Sequence, residues 1–178
     1  MTGLTTTTAH AGFIWLIPQN PPPTINHSQI LNNAIGEVVK RLNKKECGDL
    51  FGNINPWLFL EKFVSIGTQD STGQPFPSES VGAITTSDFA NAQREPSGSI
   101  VFNQDSFLFT GTVGGRNIND VLTQQVRQAN GLGNLNFNQI RQLAVLHELM
   151  HINDTAGTYN DLGRANPSLN NLIRAKCF

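Results

Sequence analysis

The chain has 178 residues, of which 12 are basic and 13 acidic, so its formal net charge at pH 7 is −1. Charged residues make up only 14% of the chain and the basic ones are dispersed, which excludes an extended electrostatic surface for nucleic acid or an anionic membrane. The longest apolar run near the start, residues 13–17, is far shorter than the roughly 20 residues of a membrane-spanning helix.

Residues 1–24 are expected to form an extended N-terminal arm, followed by a single domain over residues 25–178. The arm is poor in charge and ends in Asn20 and three prolines, which favour polyproline structure over a helix. Trp15 and its neighbours are apolar enough to pack on the domain. The arm is therefore interpreted as docked packing, with a propeptide remnant or a partner-binding segment as alternatives.

Two helices are predicted in the first third of the chain. From Ser28 to about Cys47, apolar residues recur at helical spacing and basic residues occupy the last turns, which is typical of a surface helix packed on a core. Asn55 before Pro56 gives an N-cap and a proline at the first helical position, so a short helix is expected over residues 56–64. Its packing residues are predicted to be Trp57, Leu58, Leu60 and Phe63.

The middle of the chain is predicted to hold a long loop and several short strands. Gly, Pro, Ser, Thr and Asp residues mark the loop over residues 67–80. The predicted strands, rich in β-branched and apolar residues, are residues 81–86 and 99–102, with residues 107–112 as a third candidate. Asn117 or Asn119 is then expected to cap a polar helix, and Ser168 to cap the last helix.

The strongest helix prediction follows Asn136, which is expected to be its N-cap. Apolar residues recur at helical spacing after this cap: Phe137, Ile140, Leu143, Ala144, Leu146, Leu149 and Met150. At about 100° per residue, one stripe of the helix is formed by Ile140, Ala144, His147 and His151. The other sides of the C-terminal half are apolar as well, so this half is predicted to be buried all round.

Residues 147–151 of this helix read HELMH. Histidines four residues apart share one helix face, so His147 and His151 can both reach one metal ion. Glu148 follows the first histidine, where its carboxylate can take a proton from a water that the metal activates. A metal ion would also compensate the polar groups of a buried helix. The alternative is a pair of core histidines satisfied by hydrogen bonds, with Glu148 paired to an arginine.

The HELMH segment resembles the HExxH helix of the zincin metallopeptidases. The resemblance covers His147 to His151 and implies a Zn²⁺ site with both histidines as ligands and Glu148 as general base. Met150 stands where zincins often have a glycine. Together with the predicted elements, this gives a zincin-like α+β domain, in which a small sheet of short strands lies in front of a buried HExxH helix and other helices cover the core.

Cys47 and Cys177 fit none of the zinc-binding spacings, so they are either two free thiols or one disulfide. Low lysine content and many Asn and Thr residues favour the disulfide and an extracellular protein. From Cys47 through HELMH to Cys177, the layout is also similar to small uncharacterised exported bacterial proteins with a HELGH-type helix, a following aspartate and a cysteine near the end. We expect a secreted or periplasmic protein whose signal peptide is absent from this sequence, with the cytoplasm as the alternative.

A third protein ligand for the metal is expected after His151. Asp154 shares the face of the histidines if the helix continues. It would lie about 4.5 Å further along the helix axis than His151, however, and its side chain is short. Asp161 follows His151 by ten residues and has enough loop to fold back over the zinc. Asp161 is therefore the predicted ligand, with Asp154 as alternative ligand or as a residue that orients a histidine. Tyr159 is a candidate to polarise the substrate carbonyl, with packing or capping as its alternative role.

The sequence therefore predicts a zinc-dependent peptidase that acts on a peptide or protein substrate. Glu148 would take the proton of the attacking water and pass it to the leaving amine. An edge strand, for which residues 99–103 are the candidate, would align an extended peptide by strand addition. The alternatives are a non-catalytic zinc-binding domain with a closed coordination sphere and a zincin-shaped interaction domain without metal. No nucleic acid and no membrane span are expected.

Overall fold

The structure, a computed structural model, describes residues 26–52, 54–78, 80–88, 97–153 and 166–178. The predicted arm over residues 1–24 lies outside this part. The helices are α1 His27–Leu42, α2 Lys45–Leu50, α3 Pro56–Lys62, α4 Phe107–Thr110, α5 Ile118–Val121, α6 Gln124–Ala129, α7 Phe137–Asn153 and α8 Pro167–Cys177. The strands are β1 Val64–Gly67, β2 Ala83–Asp88, β3 Ser97–Asn103, β4 Thr112–Val113 and β5 Arg116–Asn117. Among the described helices, none combines the length and the apolar character that crossing a membrane requires.

The α+β prediction is confirmed at the level of helices combined with small sheets of short strands. In the three-stranded sheet, β3 lies between β1 and β2. It runs parallel to β1 and antiparallel to β2, with Ile100 opposite Val64 on one side and opposite Thr85 on the other. Ile100 and Phe102 are almost fully buried, as expected of a central strand.

The strands predicted over residues 81–86 and 99–102 are confirmed as β2 and β3, with slightly different ends. The prediction that residues 99–103 form an edge strand is wrong. Because β3 hydrogen-bonds to a neighbour on each side, it has no open edge to which a peptide could be added. In the described part of the sheet, the outer strands are β1 and β2.

The third strand, predicted over residues 107–112, is wrong. Residues Phe107–Thr110 form the helical turn α4, and Gly111 ends it with a φ of 70°. A left-handed residue of this kind is a common helix stop that glycine adopts at low cost. The short strands β4 and β5 follow as a hairpin, whose turn residues Gly114 and Gly115 also have positive φ.

The first helix is shorter than predicted and a second helix follows it. The side chain of Asn26 caps α1 by accepting a hydrogen bond from the first turn. The buried face of α1 is formed by Leu31, Ala34, Val38 and Leu42. The chain then bends at Asn43 and Lys44, so the single helix from Ser28 to about Cys47 is wrong in its last turns. The bend allows α2 to direct Cys47 into the core, where it is fully buried.

The start of α3 is as predicted, because the side chain of Asn55 accepts a hydrogen bond from the backbone of Leu58 and Pro56 is the first helical residue. Its buried residues are Pro56, Phe59 and Leu60. Positions spaced by three and four residues share one face of so short a helix, which explains this set. The other predicted packing residues are exposed: Trp57 by 44%, Leu58 by 38% and Phe63 by 40%.

Two predictions about the later helices need correction. The polar helix expected after residue 117 is divided into α5 and α6, and Asn117 rather than Asn119 caps the first of them. The last helix, α8, begins earlier than predicted, because Asn166 and not Ser168 is its N-cap. Pro167 occupies the first helical position, where its missing N–H leaves no hydrogen bond unmade.

α7 carries the HELMH segment and packs against α1, α8, β2 and β3. Its start is a capping box, in which Asn136 and Gln139 each donate a backbone N–H to the side chain of the other, at 2.9 and 3.0 Å. Its buried residues are Ile140, Gln142, Leu143, Val145, Leu146, His147, Leu149, Met150, Ile152 and Asn153. The predicted burial of the C-terminal half is therefore confirmed for most of its residues, whereas Glu148 and His151 are only partly buried.

Cys47 and Cys177 form a disulfide, as predicted, with their Cα atoms 4.7 Å apart. The bond joins α2 to the end of α8. Arg41 of α1 adds to this junction, because its guanidinium donates a hydrogen bond of 2.7 Å to the carbonyl oxygen of Cys177 and lies 3.7 Å from the centre of the Phe178 ring. The end of α8 is thus attached to both α1 and α2.

Candidate metal centre

Three side chains of α7 bring metal-binding atoms together. His147 and His151 lie one helical turn apart, with their ring centroids 4.9 Å apart. One ligand atom each from His147, Glu148 and His151 lies within 4.8 Å of the other two. Within the described ranges, this group could hold a metal ion. The structure therefore assembles the three residues that the motif predicts.

The donor atoms of this group fit a small divalent cation. Zn²⁺ binds imidazole nitrogen at about 2.0–2.1 Å, so two ligating nitrogens of a tetrahedral site lie about 3.4 Å apart. The separations between the ligand atoms here are 4.8 Å or less. Imidazole and carboxylate are also among the donor types that Zn²⁺ accepts. The residues present are thus compatible with such an ion.

Glu148 is held by a hydroxyl group. Thr85 of β2 donates a hydrogen bond of 2.5 Å from Oγ1 to Oε2 of Glu148. The salt bridges between described residues are Lys40–Glu37 and Lys45–Asp49, and neither includes Glu148. The described residues therefore do not form the arginine pairing that the alternative interpretation requires. A carboxylate that accepts one hydrogen bond from a hydroxyl has further lone pairs with which to accept a proton or to face a metal ion.

His147 is nearly buried, with 9% of its surface exposed, and a residue of another helix orients its ring. Its Nδ1 lies 2.8 Å from Oδ1 of Asn170 in α8. Asn170 in turn donates from Nδ2 to the carbonyl oxygen of Asn130 at 2.9 Å. Glu148 and His151 are only partly buried. The group therefore lies at the border between core and solvent.

The C-terminal turn of α7 is fixed by Asn153, which is 6% exposed. Its Nδ2 donates to the carbonyl oxygen of Leu50 at 3.0 Å and lies 3.6 Å from the sulfur of Met150. Met150 is only 2% exposed, so its side chain packs into the core. These contacts hold the helical turn that carries His151.

Three predicted site residues, Asp154, Tyr159 and Asp161, lie outside the described residues. Asp161 as third ligand, Asp154 as alternative ligand or orienting residue, and Tyr159 as the carbonyl-polarising group therefore stay predictions. Cys47 and Cys177 are bonded to each other, in keeping with their unsuitable spacing for zinc. They take no part in metal binding.

Two residues that contact the motif, Thr85 and Asn170, were not identified from the sequence. Asn170 left a usable signal, because it shares a helix face with the buried residues Ile173 and Cys177, where an apolar side chain is expected. Threonine is common in strands, so Thr85 left none. The packing of β2 on α7, which the composition does not reveal, brings the hydroxyl of Thr85 to Glu148.

Compared with protein-family models, with curated proteins and with solved structures, the chain matches none. The resemblance to zincins therefore rests on residues 147–151 alone. Any functional conclusion has to come from the geometry of these residues and their neighbours.

Proposed function

We propose that this protein is a zinc-dependent peptidase. The observation that carries the proposal is the position of Glu148, whose carboxylate lies within 4.8 Å of a ligand atom of each histidine and is held by Thr85. A metal site that only stabilises a fold needs no general base, whereas a hydrolase does. When bound, Zn²⁺ lowers the pKa of a coordinated water toward about 7.

Each side chain has a proposed role. His147 and His151 hold the ion through imidazole nitrogens, and the sequence offers Asp161 as third ligand. Because Thr85 already donates to Oε2 of Glu148, Oε1 is the oxygen that accepts the proton of the attacking water. As the peptide C–N bond breaks, Glu148 transfers this proton to the leaving amine nitrogen, which returns the carboxylate to its starting state.

β2 is the proposed binding strand for the substrate. It is an outer strand of the described sheet, and its residue Thr85 contacts Glu148. An extended peptide paired with the outer edge of β2 would therefore run past the carboxylate, and the backbone hydrogen bonds of the added strand would align it. This strand replaces residues 99–103, which the central position of β3 excludes from the role.

The partial exposure of Glu148 and His151 supports a catalytic zinc site rather than a structural one. A structural site closes its coordination sphere with protein ligands, whereas a catalytic site leaves a position open. Glu148 and His151 are partly exposed, which suits an accessible site. The disulfide is compatible with an oxidising compartment, so we propose a secreted or periplasmic location.

The test compares the wild-type protein with Glu148→Gln after loading with zinc. Elemental analysis measures zinc per chain, and mass spectrometry measures cleavage of a diverse peptide library. We expect both proteins to bind zinc stoichiometrically and only the wild type to cleave, because the amide preserves shape but removes the base. Glu61→Gln, at an exposed position of α3, is the matched control and should cleave like the wild type.

The outcomes separate the alternatives. Equal cleavage by wild type and Glu148→Gln would remove Glu148 from the mechanism. Stoichiometric zinc without cleavage of any peptide would contradict the peptidase and support a non-catalytic zinc-binding domain. A wild type that takes up no zinc would support an interaction domain without metal.

A further inference from the structure

Two consecutive hydrogen bonds connect His147, the first histidine of the motif, through the side chain of Asn170 to the backbone of Asn130. Nδ1 of His147 pairs with Oδ1 of Asn170 at 2.8 Å, and Nδ2 of Asn170 pairs with the carbonyl oxygen of Asn130 at 2.9 Å. His147 and Asn170 are both nearly buried, with 9% and 8% of their surfaces exposed. Water therefore competes little for these contacts.

The direction of each hydrogen bond follows from the last acceptor of the series, the backbone carbonyl oxygen of Asn130. A backbone carbonyl can only accept, so the amide nitrogen of Asn170 must face Asn130. The amide oxygen of Asn170 then faces His147, and an amide oxygen can also only accept. Nδ1 of His147 must therefore carry a hydrogen, and the neutral ring has its lone pair on Nε2. Histidine in water prefers the opposite tautomer, so the contact selects the less favoured form.

The position of Asn170 is itself fixed by close packing. Gly131, next to Asn130, has a φ of 67°, and a Cβ added there would lie 2.6 Å from the carbonyl oxygen of Pro167 at the start of α8. Only glycine allows the loop to approach the helix so closely. On the same helix, Leu169 and Ile173 are fully buried. The amide is thus in place before any ligand binds.

We propose that Asn170 is a positioning residue that holds His147 as the Nδ1–H tautomer and so leaves Nε2 as its metal-binding nitrogen. A metal ligand needs a lone pair directed at the ion, and a hydrogen bond to the other ring nitrogen fixes both tautomer and orientation. The importance of this role for zinc rests on the proposed function, whereas the tautomer itself does not.

The experiment uses the full chain, stripped of metal and labelled with ¹⁵N, at about pH 8, where imidazole is ordinarily neutral. Long-range ¹H–¹⁵N correlation identifies the protonated nitrogen of His147, whose signals are assigned by their loss in His147→Gln. We expect the proton on Nδ1 in the wild type. Asn170→Leu, which removes the acceptor, should move most of the population to the Nε2–H tautomer and weaken zinc affinity about 10–100-fold.

Two variants separate positioning from folding. Asn170→Asp keeps an acceptor for Nδ1 and should keep the wild-type tautomer and recover most of the zinc affinity. Asn171→Leu changes the exposed neighbouring residue and should match the wild type in both measurements. If Asn170→Leu does not fold, the wild-type tautomer and the Asn170→Asp variant still decide the question.

A proton on Nε2 of His147 in the wild type would overturn the inference, even with zinc bound normally, and the proposed function would remain. A folded Asn170→Leu variant with wild-type tautomer and affinity would overturn it as well. If the tautomer behaves as expected but the wild type binds no zinc, the inference about Asn170 stands and the proposed function fails.

Discussion

The hydroxyl of Thr85 and the carboxylate of Glu148 are joined by a hydrogen bond of 2.5 Å, although 63 positions separate the two residues in the sequence. The bond connects the outer strand β2 to the helix that carries the motif. In the proposed enzyme, the strand that binds substrate would therefore also hold the general base. A displacement of β2 would therefore change or break the hydrogen bond that holds the carboxylate of Glu148.

Thr85→Val tests this link, because valine has a similar shape and lacks the hydroxyl. A hydrogen bond to a charged group contributes about 1.5–3 kcal/mol, so we expect peptide hydrolysis to fall roughly 10–100-fold while zinc binding is retained. Cleavage rates of zinc-loaded protein measure the effect. Thr85→Ser keeps the hydroxyl and is the control. If both variants lost the same share of the cleavage rate, the hydroxyl would have no role in catalysis.

The third metal ligand is tested by comparing two aspartates. We expect Asp161→Ala to abolish stoichiometric zinc binding, because it removes a direct ligand. Asp154→Ala should weaken affinity only about 10–100-fold, as expected for a residue that orients a ligand. Zinc titration against a competing chelator measures both. The reverse ranking would exchange the two roles, and wild-type affinity in both variants would mean that another residue or water completes the site.

The disulfide predicts a measurable contribution to stability. Removing it with Cys47→Ala and Cys177→Ala together should lower the free energy of unfolding by about 2–5 kcal/mol, because a sequence separation of 130 closes a long loop in the unfolded chain. Urea denaturation gives the value, and reduced wild type is the control. Thiol titration of the denatured, unreduced wild type should find no reactive thiol; two per chain would contradict the bond.

Two aromatic residues of α3 should respond differently to truncation. Phe59 is 4% exposed, so Phe59→Ala should cost about 3–5 kcal/mol of unfolding free energy through lost burial and a cavity. Trp57 is 44% exposed, and Trp57→Ala should cost less than about 1 kcal/mol. Chemical denaturation of both variants makes the comparison. A loss at Trp57 as large as that at Phe59 would mean that Trp57 has a packing role.

Most helices could be predicted because their signals are local. The cap at Asn136 lies within one turn of the helix it starts, and Asn55 before Pro56 identified the start of α3. The same asparagine–proline signal at Asn166 marks the start of α8, so this boundary is local too, although Ser168 was predicted as the cap. The bend before α2 left no comparable signal, since residues 43–46 are polar and include neither proline nor glycine.

The surroundings of the candidate site were not predictable in the same way. HELMH is a local pattern and shows which side chains share a helix face. Its partners Thr85 and Asn170 come from elements 63 and 23 positions away, so their contacts depend on how strand and helices pack. The middle position of β3 is also non-local, because composition does not determine the order of strands in a sheet.

That strand order has a consequence for the order in which the protein assembles. β3 is inserted between two strands that precede it, so in the described sheet neither β1 nor β2 has a partner until residues 97–103 are present. A nascent chain that ends before residue 97 would carry two unpaired strands, which are prone to wrong pairing and aggregation. The hydroxyl of Thr85 can therefore take its place in the sheet only after β3 has paired with β2.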